Sequence, residues 1–155
     1  MKNQVNDLNV VILPDKKVND KVISWSQNLK KKYDARFALD GENYYPHITI
    51  YQTRYPKKNF EKIRSTLIFL LQTVPAFTVR MSGIDTFLEF IFYETIRDQK
   101  LMEFHLKILE SLNSLREGLI LPEHEAMLYN PLVSEERKSS VKKYGQRSCV
   151  YVSGS

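Results

Sequence analysis

A single cysteine, Cys149, stands in the 155-residue chain, so no disulfide closes within it and no cysteine cluster holds zinc. Glycine and proline are scarce, at 5 and 6 residues, which excludes collagen-like and Pro/Gly-rich low-complexity architectures. No apolar run approaches the roughly 20 residues of a membrane-spanning helix. The first apolar tract, Leu8 to Leu13, follows a polar amino terminus and is too short and interrupted for a signal peptide. A soluble, cytoplasmic protein with no membrane partner is therefore expected. No internal repeat is visible either.

What remains is globular material, 43% hydrophobic and 12% aromatic, with too much core-forming side chain for disorder. A chain of this size buries roughly 68–70% of its unfolded surface, enough for one domain or for two small lobes sharing a cleft. Lysine and arginine outnumber aspartate and glutamate by 23 to 18, a net charge of +5. That excess leans only weakly towards a polyanionic partner. Its clusters, Lys30-Lys31-Lys32, Lys57-Lys58 and Lys142-Lys143, are scattered, and each alone fits a solvated helix end.

Periodicity orders the elements. Asn9 to Leu13 is apolar and β-branched and ends at Pro14, which predicts a buried strand. Val18, Val22, Trp25 and Leu29 recur at helical steps, continuing to Lys32 or Tyr33. Asp34 to Leu39 fits a short strand before a turn at Asp40-Gly41, and Pro46 to Thr53 a further strand. A second helix carries Phe60, Ile63, Leu67, Leu70 and Leu71 on one face and stops at Pro75. Phe77 to Met81 alternates as a half-buried strand, Ser82-Gly83 marks a bulge or bend, and Phe87 to Thr95 is an aromatic strand. A third helix spans Gln99 to Leu115, with Leu101, Ile108, Leu112 and Leu115 inward. Beyond a mixed stretch, Ser134 caps a charged helix that ends at Tyr144-Gly145. Ser148 to Val152 again resembles a strand. The order β-α-β-β-α-β-β-α predicts an α+β fold with mostly antiparallel sheet.

Three histidines are available for chemistry. His105 shares the apolar side of the third helix and fits a structural role. His124, in Pro122-Glu123-His124-Glu125, fits an exposed position without metal-ligand spacing. His47 has a different setting, Tyr45-Pro46-His47-Ile48-Thr49-Ile50. Alternate strand residues share a face, so Ile48 and Ile50 are expected in the core, with His47, Thr49 and Tyr51 on the other side. An imidazole suits proton transfer near neutral pH, and a hydroxyl two residues on can donate to a phosphate oxygen. The same pattern also fits an ordinary strand whose polar face meets water.

Tyr-Pro-His-Ile-Thr-Ile resembles the first signature of the 2H phosphoesterase superfamily, which comprises 2′-5′ RNA ligase-like proteins and 2′,3′-cyclic phosphodiesterases. The strand, helix and His-x-Thr strand are similar to that family's first lobe. The segment from Phe77 through the third helix looks like the start of its second lobe, and Ser134-Glu135-Glu136-Arg137 with Lys143-Tyr144-Gly145 resembles the lead-in to its second signature. The resemblance covers most of the chain, although His-x-Thr alone is a weak pattern. It implies a bilobal fold of mainly antiparallel sheets with flanking helices around a central cleft. The first lobe would take in about residues 1–75 and the second about 76–155.

The resemblance also implies a metal-independent, cofactor-free reaction at a phosphodiester of RNA ends or small nucleotides. Two histidines act as base and acid, and two Thr/Ser hydroxyls hold the phosphate. His47 and Thr49 match one half of that arrangement, and Tyr51, Arg54 and Tyr45 are candidates for substrate binding. Arg54 reaches the cleft only if the strand ends or twists near Thr53. The second half is missing, because Leu106-Lys107 follows His105 and Glu125-Ala126 follows His124. Acid–base participation contributes about 10²–10⁴-fold in rate, so this form is expected to be weak or inactive. Three alternatives stand beside that expectation: a non-catalytic RNA- or nucleotide-binding module, a truncated or frameshifted form of a full-length enzyme, and a site completed by another protomer.

Overall fold

The computed structural model describes residues 4–33, 37–87 and 90–146. Its elements in chain order are β1 (Val5–Ile12), α1 (Lys16–Tyr33), β2 (Ile48–Pro56), α2 (Phe60–Thr73), β3 (Met81–Phe87), β4 (Phe90–Thr95), α3 (Gln99–Leu112), α4 (Pro122–Met127) and α5 (Glu135–Tyr144). Short 3₁₀ turns at Lys57–Asn59 and Asn113–Arg116 lead into α2 and out of α3. Two small two-stranded sheets, β1-β2 and β3-β4, make this a mixed α+β chain, as its pattern predicts.

The chain divides into two compact units, Asn9–Gln52 and the residues on either side of that segment. In the smaller unit the Asp15 carboxylate caps α1 by accepting from the Val18 N–H at 2.9 Å. Lys30, Lys31 and Lys32 fill the last turn of α1, where the helix dipole favours cations. Val22, Ile23, Trp25 and Leu29 are half-buried, while Val18 is exposed despite its place in the apolar repeat.

The larger unit holds the deeper core. Asp98 caps α3 through the Leu101 N–H at 3.1 Å, and from there Leu101, Phe104, Ile108, Leu109 and Leu112 form its buried stripe. α2 packs on α3 through a narrower face than its sequence suggests. Ile63 and Leu70 are buried, whereas Phe60 and Leu71, at the edge of the same apolar face, are exposed. Ser134 and Gly145 bound α5 as expected. The serine hydroxyl accepts from Arg137 N–H, and Gly145 adopts φ 75° at the carboxyl end.

The second sheet differs in extent. β3 pairs antiparallel with β4 from Met81↔Thr95 onward, with a register shift between Met81 and Gly83, so the pairing is irregular where Ser82-Gly83 was expected to bulge or bend. Residues 77–80 are not strand; a single bond from Ile96 N–H to the Arg80 carbonyl lies before the ladder. Residues 37–39 are likewise not strand. They are held instead by the Leu39 N–H donating to Ser26 Oγ at 3.1 Å. Part of that expected strand, Asp34 to Arg36, lies outside the described residues, as does all of Ser148 to Val152.

Candidate phosphate-binding site

The turn before His47 is built around one carboxylate. Asp40 Oδ1 accepts the N–H groups of Glu42 and Asn43 at 2.8 Å and of Tyr44 at 2.9 Å, and Asn43 Nδ2 reaches Oδ2 at 3.3 Å. An aspartate suits this position because its short side chain bonds its own following backbone. These donors, the Tyr44 N–H foremost and that of Glu42 next, hold the Asp40 carboxyl down to about 2. Gly41 takes φ 78° and passes close to α1, where a Cβ would stand 3.0 Å from Ile23 Cδ1. Phe37 and Tyr44 stack across the turn with centroids 5.2 Å apart.

The chain then delivers Tyr45, buried Pro46 and exposed His47 to the start of β2. His47 Nδ1 lies 2.8 Å from the Tyr45 carbonyl oxygen. A carbonyl can only accept, so Nδ1 carries the hydrogen in this contact and a neutral ring keeps its lone pair on Nε2. That is the tautomer of a base. Two residues on, Thr49 is half-buried, and its Oγ1 accepts from Asn9 Nδ2 of β1 at 3.3 Å. Tyr45 is 50% exposed, an accessible aromatic face next to the histidine.

The remaining two candidates are placed differently. Tyr51 is 1% exposed rather than standing on an open face with His47 and Thr49. Period-two alternation requires only that neighbours point to opposite sides, and in β2 both sides are covered at this point, Ile50 and Tyr51 being buried together. Further along, Thr53 and Tyr55 continue the buried set. Arg54 gives its guanidinium to Asp7, with Nε 2.6 Å from Oδ1 and Nη2 2.9 Å from Oδ2. The hydrogen bond and the charge of Asp7 both raise its pKa.

His105 is buried at 4% exposure on α3, as its place on the stripe predicts. His124 is half-buried rather than fully exposed, with Nδ1 3.1 Å from the Gly145 carbonyl oxygen. Among the described residues no three His, Cys, Asp or Glu side chains cluster as metal ligands, and no helix is long and apolar enough to cross a membrane.

Asn9 is the site residue that sequence reasoning missed. It stands 40 positions from Thr49, and within β1 nothing distinguishes it from any polar residue at a strand's exposed position. No family model, curated protein or solved structure matches the chain.

Proposed function

We propose that His47 and Thr49 bind a phosphodiester and that the chain is a 2H-type phosphodiesterase or 2′-5′ RNA ligase-like protein of weak activity. Its targets are 2′,3′-cyclic or 2′-5′ linkages in nucleotides or RNA ends in the cytoplasm, and its fold is bilobal with a central cleft. The contact between His47 Nδ1 and the Tyr45 carbonyl carries this reading, because it leaves Nε2 as the acceptor for a proton from water or a ribose hydroxyl. Thr49 supplies a hydroxyl for a phosphate oxygen, and Tyr45 an exposed ring on which a base can stack. A strained cyclic phosphodiester asks least of a general acid, so it suits a site with one imidazole.

The test is hydrolysis of 2′,3′-cyclic nucleotides by the chain and by His47→Ala. Turnover that falls about 10²-fold or more in the variant is expected of an acid–base group. Equal rates would remove His47 from catalysis.

A second reading is a nucleotide- or RNA-binding module without turnover. It is favoured by the other two histidines, since His105 is buried and His124 is engaged with the Gly145 carbonyl. It predicts salt-sensitive oligonucleotide binding without product, and an absence of binding at low salt overturns it.

A further inference from the structure

A threonine hydroxyl has one hydrogen to donate and two lone pairs to accept with. What it offers a ligand depends on which of these its neighbours occupy. Asn9 places its amide nitrogen, a donor, 3.3 Å from Thr49 Oγ1. That contact occupies a lone pair, and among the described residues it leaves the hydroxyl hydrogen uncommitted. A neighbouring carboxylate would do the reverse and capture the hydrogen. Asn9 is exposed and Thr49 half-buried, so the pair is within reach of solvent and of a ligand.

We propose that Asn9 is a positioning residue that keeps Thr49 as a hydrogen donor, and so sets the site's preference for an ionised phosphate oxygen at that point. With His47 Nε2 as acceptor, the site then presents one donor and one acceptor. This is the complement of a phosphate oxyanion beside a hydroxyl, as in a nucleoside 2′-phosphate with its free 3′-hydroxyl. The inference rests on His47 and Thr49 being a phosphate site. It adds the residue that fixes the polarity of the threonine.

The experiment is equilibrium titration at low salt with adenosine 2′-monophosphate of the unaltered chain, Thr49→Ala, Asn9→Ala, Asn9→Asp and the double variant Asn9→Ala/Thr49→Ala. A hydrogen bond to a charged group supports an expected loss of about 10-fold or more for Thr49→Ala. Asn9→Ala weakens binding less, about threefold, because the hydroxyl then rotates freely. Asn9→Asp is nearly isosteric and weakens binding at least as much as Thr49→Ala. In the Thr49→Ala background Asn9→Ala has no further effect, which a merely structural role would not produce. Unchanged affinity in both Asn9 variants, with a loss in Thr49→Ala, overturns this inference and leaves the phosphate site standing. An equal loss from Asn9→Ala in both backgrounds also overturns it. No binding by the unaltered chain, or none lost in Thr49→Ala, removes the phosphate site itself and this inference with it.

Discussion

Arg54 holds Asp7 at two points, Nε to Oδ1 at 2.6 Å and Nη2 to Oδ2 at 2.9 Å. The fork geometry gives this pair more orientation than a single-contact ion pair, and it pulls the Asp7 carboxyl below its ordinary 3.8. Both side chains keep substantial exposure, 26% and 49%, so solvent screens the attraction. A double-mutant cycle of Arg54→Ala and Asp7→Ala should give a coupling of about 0.5–1 kcal/mol, shrinking with added salt. Because the folded carboxyl is lowered, that coupling is present above the unfolded value and lost as pH falls through the folded one. Since the guanidinium is committed to Asp7, Arg54→Ala should leave nucleotide binding unchanged.

The Asp40 turn makes a second acid-range prediction. Its carboxyl, held down to about 2 from 3.8 by the Tyr44, Glu42 and Asn43 donors, contributes order above pH about 4. That contribution is lost as pH falls towards 2. Amide resonances of Glu42, Asn43 and Tyr44 should titrate with a midpoint near 2. A midpoint near 3.8 would mean that the carboxylate does not hold the turn. Because Tyr45 and His47 follow directly, Asp40→Ala should also broaden the His47 signals.

Gly145 and Gly118 form a matched pair. Both have positive φ, 75° and 78°, but a Cβ on Gly145 would lie 2.5 Å from Thr53 Oγ1 and 3.2 Å from the Leu119 carbonyl, whereas one on Gly118 meets nothing within 4 Å. Gly118→Ala should cost only the left-handed backbone strain, about 1–2 kcal/mol. Gly145→Ala should cost more, by about 1 kcal/mol or beyond, because the crowding atoms belong to a β-branched side chain and to backbone. Chemical denaturation of both variants measures the difference, and equal losses would contradict the close approach.

Arg116 is buried, and among the described residues its contacts include no carboxylate. Its donors go to Asn113 Oδ1 at 2.8 Å, the Leu119 carbonyl at 2.8 Å and the Lys142 and Lys143 carbonyls at 2.9 Å. The last two are carbonyls at the carboxyl end of α5, where a cation is favoured. Arg116→Ala removes four hydrogen bonds to part-buried acceptors together with a buried side chain, and should destabilise by about 2 kcal/mol or more. Arg116→Lys should recover less than half of that, because an ammonium cannot reproduce the planar fork. Recovery to the unaltered stability would show that charge alone matters there.

Local signals in the sequence carried a good part of this. Ser134 and Gly145 marked both ends of α5, and Ser82-Gly83 marked the register shift in β3, because caps and strand irregularities depend on a residue's own backbone preferences. The stripe of α3, with His105 beside it, was legible because a helix with a wide buried face repeats its apolar residues visibly. α2 was less so. Phe60 and Leu71 continue the apolar pattern yet stay exposed, since periodicity does not say how much of an apolar face finds a partner.

For the candidate site, the sequence by itself determined that His47 and Thr49 sit two residues apart in a strand-forming tract, opened by a turn at Asp40-Gly41. Tertiary structure decided what their atoms are available to do. The Tyr45 carbonyl, although local, sets the ring's hydrogen only once the turn has closed. The donor to Thr49 arrives from β1, 40 positions away, and Asp7 removes Arg54 from 47 positions away. Tyr51 left the expected open face because β2 is covered on both sides at that point. A strand's alternation specifies which residues share a face, but burial and hydrogen-bond polarity are properties of whatever packs against it, and those partners come from elsewhere in the chain.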